Sequence, residues 1–271
     1  MLDLAEHGPD TYVGRSAVYP WDRVYGGQVV AQGLWAAIRT VEPSHRVHSV
    51  HAYFIRGGDQ SEPIRFEVDR IRNGRSFVTR RVVARQSFGA ILNLSASFHR
   101  REEAPDTTAL PFPADVPPPE ELEPADWGPL MERRPVPGDG PRVRSWLRVV
   151  GPLGEDPGVH AVAHAYASDD LATEAVMVTH PRGRPDWGSG DAEWPYMGAS
   201  LDHTVWFHRD APADDWLLHD LRGVGVYGAR GLALGEVWTR DGVHVATIAQ
   251  EVLLRERRRP DGDGTTTGSA P

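Results

Sequence analysis

The side chains able to do chemistry in this 271-residue chain reduce to a short set. Cysteine is absent, which removes thiolate nucleophiles, disulfides and Cys-ligated metals together. No G-x-S-x-G elbow presents a nucleophilic serine. No H-x-H or H-E-x-x-H spacing gathers histidines, so no catalytic metal and no cofactor is expected. What remains is polar groups set into apolar rows. Asp202 opens the run DHTVWFHR, and period-2 spacing puts it on one face with Thr204 and Trp206, expected to look inward. A carboxylate there is poorly solvated, so its pKa rises and it becomes a better base. Gln250 shares a strand face with His244, Ala246, Ile248 and Val252, and a lone amide in such a row requires a partner. Together a carboxylate and an amide can hold and deprotonate a water. The same residues also suit plain structural ends: Asp202 bracing a strand, Gln250 satisfying backbone. Polarisation of a carbonyl would fall to N–H groups at a helix N-terminus, either at Gly26-Gly27-Gln28 or near Ala165–Ser168.

The elements that must position these groups follow from hydropathy patterning. Gly26-Gly27 precedes QVVAQGLWAAIRTV, where Val30, Leu34, Ala37, Ile38 and Val41 form one helical stripe that Pro43 stops. The strand-like runs VHSVHAYFIR, PIRFEVDRIR, SFVTRRVVAR and AILNLSASF follow, punctuated by GGDQSE, NG and FG turns. This order is one long helix followed by an antiparallel meander. Residues 101–142 break the pattern with PFPADVPPPEELEP and RRPVPGDGP, and read as a Pro-rich connection.

The second half repeats the plan. HAVAHAYASDDLATEAVMVTH is expected as a second central helix, with Asp169 and Asp170 near its early turns. GASLDHTVWFHR echoes VHSVHAYFIR, pairing Tyr53 with Trp206, Phe54 with Phe207 and Arg56 with Arg209, and a second meander runs to about Glu256. The expected fold is therefore α+β: a double hotdog, two repeats each of a long central helix wrapped by an antiparallel sheet, over residues 1–100 and 143–256. The tail, 257–271, has no apolar anchor and is expected to be disordered. Under this repeat Ser49 stands opposite Asp202 and Ser97 opposite Gln250, so one site per chain is expected, in the second half.

A formal charge of −9 argues against a nucleic-acid partner. No apolar run approaches the ~20 residues that cross a membrane. Without cysteine or a secretory leader, the expected location is cytoplasmic. Positive charge comes in Arg clusters, at Arg65 to Arg85 and at Arg255 to Arg259. These read first as solvated faces and second as a place for phosphates.

RVYGGQVVAQGLWAA, VHSVHAYFIRGGD, NGRSFVTRRV, ASLDHTVWFHR and IAQEVLLR, in this order, resemble the bacterial acyl-CoA thioesterase II family over most of residues 23–255. That resemblance implies hydrolysis of acyl-CoA or a related acyl-carrier thioester without a covalent intermediate. It also implies a catalytic Asp, Gln and Ser or Thr. Asp202 and Gln250 match the first two. The hydroxyl does not carry over: LRGVGVYGARG holds glycines at 223 and 225, and Tyr227 is the nearest hydroxyl. The expected catalytic set is thus Asp202, Gln250 and Tyr227, with substrate held by Gly27, Gln28, Trp206 and Arg230, an apolar acyl tunnel, and a homodimer or higher oligomer left open. Two other readings stand beside it. One is a non-hydrolytic acyl-thioester binder; the other is a hydratase or dehydratase using His203 or His51.

Overall fold

The computed structural model describes residues 2–21, 23–138, 140–183 and 195–257. Two short strands, β1 (Ala5–Glu6) and β2 (Thr11–Gly14), precede helix α1 (Gly26–Ile38). A meander follows: β3 (His45–Phe54), β4 (Ile64–Asn73), β5 (Phe77–Gln86) and β6 (Gly89–Arg100). The Pro-rich connection is partly ordered, as a hairpin of β7 (Ala125–Gly128) and β8 (Met131–Pro135) that leads into β9 (Arg142–Val149). Then come α2 (Pro157–Ala167), α3 (Ala172–Thr179), β10 (Tyr196–Ser200), β11 (Asp202–Phe207), β12 (Leu217–Tyr227), β13 (Arg230–Trp238) and β14 (His244–Glu256). No helix among the described residues is long and apolar enough to cross a membrane. The expected tail lies almost wholly outside the described residues.

The strands form one antiparallel sheet in the order β1-β2-β4-β5-β6-β3-β11-β14-β13-β12-β9-β8-β7, with β10 paired to β14. Alternation sets its faces. In β5, Val78, Arg80, Val82, Ala84 and Gln86 are buried while their neighbours are not. Helix α1 lies against β4, β5 and β6, and α3 against β12, β13 and β14, while α1 and α2 pack on each other. Val30, Ala31, Leu34, Ala36 and Ala37 are fully buried, which explains why α1 forms despite its glycines. Arg80 closes the end of this helix from inside the core. Its guanidinium donates to the Thr40 carbonyl (3.1 Å) and Oγ1 (2.7 Å), and to Asn73 Oδ1 (2.8 Å).

Two expectations change here. The single second helix is two, because the chain leaves helical geometry between Ala167 and Ala172. Short polar side chains such as Ser168, Asp169 and Asp170 compete for backbone groups and favour helix ends over interiors. The face containing Asp202, Thr204 and Trp206 looks outward, since the alternate residues His203 and Val205 are the fully buried ones.

Helix α3 approaches its strands too closely for side chains at two glycines. A Cβ on Gly223 would sit 2.3 Å from the Ala175 carbonyl oxygen, and one on Gly231 would sit 2.2 Å from Val176. This contact excludes a side chain, and so a hydroxyl, at position 223 itself within the 223–227 stretch where the resemblance implies one. Gly223→Ser should therefore cost about 1–3 kcal/mol, the usual range for overpacking. Gly57→Ser, where a Cβ meets nothing within 4 Å, should stay within about 0.5 kcal/mol. Urea unfolding of the two variants against the parent chain measures both.

Candidate active site

The break between α2 and α3 carries Asp169 to the N-terminus of α1. Its Oδ2 accepts the backbone N–H of Gly27 (2.8 Å), and its Oδ1 accepts Gln250 Nε2 (2.7 Å) and Ser200 Oγ (3.2 Å). Four elements thus meet on one buried carboxylate: the bend after α2, the start of α1, β10 and β14. Glycine is required at the helix start, because a Cβ on Gly26 would lie 2.7 Å from Asp169 Oδ2 and one on Gly27 only 2.3 Å from the Tyr166 carbonyl. Burial pushes the Asp169 carboxyl up to about 6, against the opposing pull of its three hydrogen bonds.

Gln250 is oriented from behind. Both its N–H groups are used, on Asp169 and on Ser200 Oγ (2.7 Å), so Oε1 is the acceptor for His203 Nδ1 at 2.5 Å. His203 then has its proton on Nδ1, and Nε2 faces the Ser168 hydroxyl at 2.7 Å. Burial holds this imidazole neutral, with its pKa lowered to about 4. A second carboxylate, Asp170, lies beside the first and is also raised to about 6 by burial, with Arg133 opposing that shift. Arg133 reaches Asp170 at 3.4 Å and Glu174 at 2.7 Å.

These groups head a cleft of about 580 Å³ lined by Asp169, Asp170, Gly26, Phe54, Ser200 and Trp127, among others. Its arginines are Arg23, Arg56 and Arg257. The cluster from Arg65 to Arg85 does not line it. Arg70, Arg81 and Arg85 pair instead with Asp10, Asp69 and Glu67 along the outer sheet face, and Arg80 is in the core.

The expected site residues divide. Gln250 and Gly27 are at the centre. Gln28 lies behind it, holding Tyr19, which meets Tyr166 at 3.0 Å and so joins α1 to α2. Asp202 is on the opposite sheet face from Gln250, where Oδ1 accepts the backbone N–H of Glu251 (2.7 Å). It braces the ragged junction of β11 and β14, and the amide's carboxylate partner is Asp169. Trp206 packs edge-on against His51 on that outer face, Tyr227 is 61% exposed at the β12–β13 turn, and Arg230 pairs with Glu251 at 2.9 Å. None of these four lines the cleft. Asp169 and Ser200 were the residues missed. The available signal was two adjacent acids interrupting an apolar helical run.

A helix wrapped by an antiparallel sheet is the hotdog architecture. At the level of fold alone, the chain is similar to a hotdog protein of Alicyclobacillus acidocaldarius (21% identity, TM-score 0.75, 95% of this chain and 97% of that one). Residues 17–99 match the acyl-CoA thioesterase N-terminal domain and residues 101–254 the acyl-CoA thioesterase C-terminal domain. The chain is 31% identical to acyl-coenzyme A thioesterase 8 of Homo sapiens, over 94% of this chain and 88% of that protein. It is 30% identical to acyl-CoA thioesterase 2 of Haemophilus influenzae, over 94% and 96%. The solved acyl-CoA thioesterase II of Mycobacterium marinum superposes with a TM-score of 0.80 at 36% identity, covering 94% of this chain and 97% of that one. The chain belongs to the acyl-CoA thioesterase family.

The hydrogen-bond chain makes a spectroscopic prediction. His203 should remain neutral and Nδ1-protonated down to about pH 4, because its depressed pKa keeps the uncharged form above that value. Imidazole ¹⁵N shifts read the tautomer and titration directly. A midpoint near 6.5 would show that the ring is solvated and that Gln250 is not held as described.

Proposed function

We propose that this protein hydrolyses acyl-CoA thioesters, with Asp169 as the general base, Gln250 as the group that holds it, and Ser200 as a second partner that also faces the cleft where water would attack. The observation that supports this is the buried Asp169 carboxylate, raised to about 6 and facing a cleft at a helix N-terminus. Oδ1 is saturated by Gln250 and Ser200, whereas Oδ2 accepts only Gly27 among the described contacts and has a lone pair left for water. In the proposed reaction Asp169 takes a proton as water adds to the thioester carbonyl carbon. The developing oxyanion lies toward the positive end of α1. Collapse breaks the C–S bond, the proton passes to the departing thiolate, and the products are a carboxylic acid and free thiol. Water is the co-reactant, so no cofactor is invoked. Arg23, Arg56 and Arg257 at the cleft are placed to meet coenzyme A phosphates. A cytoplasmic setting is consistent with the absence of cysteine.

Ser200 is the hydroxyl that the 223–227 stretch does not supply. The hydratase reading lacks a comparable observation: His203 is buried behind Gln250 with both nitrogens engaged, and His51 is exposed on the outer face.

The same reading takes the chain as two hotdog repeats, over 1–100 and 143–256, joined through β3 and β11. Register supports it. His51 and Thr204, 153 residues apart, pair with each other. About them Asp202 pairs with Tyr53, and their equivalents Ser49 and Trp206 pair likewise. That is the pattern of a two-fold axis through the sheet.

Thiol release from a panel of acyl-CoAs tests the function. Asp169→Asn should lower kcat by about 10²–10⁴-fold, the usual range for a lost general base. Ser200→Ala should lower it about tenfold, as loss of one hydrogen bond would. Asp202→Asn should retain most turnover if its role is the strand brace; a collapse there with Asp169→Asn active would reassign the base. Because the base must be ionised, kcat/KM should be full above about pH 6 and fall as pH drops through that value. Asp169→Asn should abolish this dependence.

A further inference from the structure

The two-fold relation that brings β3 beside β11 also gives the cleft a counterpart. A second cleft of about 260 Å³ lies at the opposite end of the α1–α2 pair. Much of its lining corresponds to that of the first, although Trp35 and Phe98 have no counterparts there. Phe54, Arg56 and Gly57 of the first become Phe207, Arg209 and Asp210, under the correspondence that pairs His51 with Thr204. Ala199 and Ser200 become Arg46 and Val47. The helix-capping residues Tyr25 and Asp156 correspond, so Gly27 becomes Gly158. Carried along the helices, the same offset sets Ile38 where Asp169 stands. A Cβ on Gly158 would meet the Ile38 side chain at 3.4 Å, so Ile38 lies beside the start of α2.

The chemistry differs where it matters. The acid is Ile38, the amide is Ser97 and the hydroxyl is Val47, so no base faces the second cleft at the catalytic position. Its floor is apolar, built of Trp35, Ile38, Val47, Phe98 and Phe207. Three acids also line it, and two of them are engaged. Asp156 caps α2 by accepting the Gly158 N–H, and Asp210 pairs with Arg101; Glu42 lies exposed at the rim. Of the cations, Arg39 is held by Glu6 and the Leu4 carbonyl, and Arg209 by Asp106 and the His244 carbonyl. Among the described residues Arg46 makes one hydrogen bond, to the Pro43 carbonyl, and its Nε is buried without a hydrogen-bond partner. A buried N–H of a cation without an acceptor is a costly group that a ligand anion would satisfy. The volume, under half that of the first cleft, suits an alkyl chain and not a nucleotide.

We propose that this second cleft is a non-catalytic binding site for a free fatty acid, its chain on the Ile38–Phe98–Phe207 floor and its carboxylate on Arg46. The proposal rests on the two-repeat reading and concerns the product class of the proposed reaction, but binding is measurable without turnover.

Calorimetry on the full chain tests it, with dodecanoate below its micelle concentration and a non-hydrolysable thioether analogue of dodecanoyl-CoA. Dodecanoate should bind one equivalent to protein already saturated with the analogue. Arg46→Met should weaken that binding by tenfold or more while leaving thioester turnover unchanged, and Ile38→Trp should abolish it by filling the cleft. The proposal is overturned if dodecanoate only competes with the analogue, if Arg46→Met leaves its affinity unchanged, or if the analogue itself takes the second equivalent. Should Ile38→Trp not fold, the Arg46→Met comparison decides. A second equivalent of dodecanoate in a chain with no turnover would support this site and defeat the hydrolase reading, so the two fail separately.

Discussion

The buried carboxylate of Asp169 is the constraint on which the rest of the arrangement depends. An ionised group largely withdrawn from water carries a desolvation cost of several kcal/mol. Three donors offset it: the Gly27 N–H, the Gln250 amide and the Ser200 hydroxyl. Hydrogen bonds to a charged group contribute about 1.5–3 kcal/mol each, so the offset is of the same order as the cost. The result is a carboxyl that folds stably yet titrates near the pH at which a base is useful.

Holding that group has structural consequences at a distance. The chain must leave helical geometry between α2 and α3 to deliver it, and α1 must begin with glycines to receive it. Gln250 must present its N–H edge, which requires a neutral His203 on its carbonyl and Ser168 behind the ring. Close seating of α3 on β12 and β13 then leaves no room for a side chain at 223.

On the two-repeat reading proposed above, the halves differ, among many positions, at those that set the charge of the cleft. Asp169 corresponds to Ile38, Gln250 to Ser97 and Ser200 to Val47. Each replacement removes a donor or acceptor while keeping a side chain that fits its place. If the halves are repeats, chemistry on one side costs little stability to lose, because burying an isoleucine or a valine is easier than burying an acid.

Much of this was legible in the sequence. Period-3.6 and period-2 patterning located α1 and the two meanders, because each element buries one face and the pattern records which. The inward row of Gln250 was readable for the same reason, as was its need for a partner. Block resemblance carried the family. The partner's identity was not readable. Asp202 and Asp169 are both acids near strand or helix ends, and the face of a six-residue strand is decided by its neighbours in the sheet. Whether the run from His160 to His180 stays one helix depends on what Asp169 can reach if the helix bends, and that is the start of α1, 142 residues away in the chain. Local sequence therefore determined most of the elements, and the buried faces of the longer ones. Which carboxylate enters the core was decided by tertiary packing, because only there do the three donors that stabilise it converge.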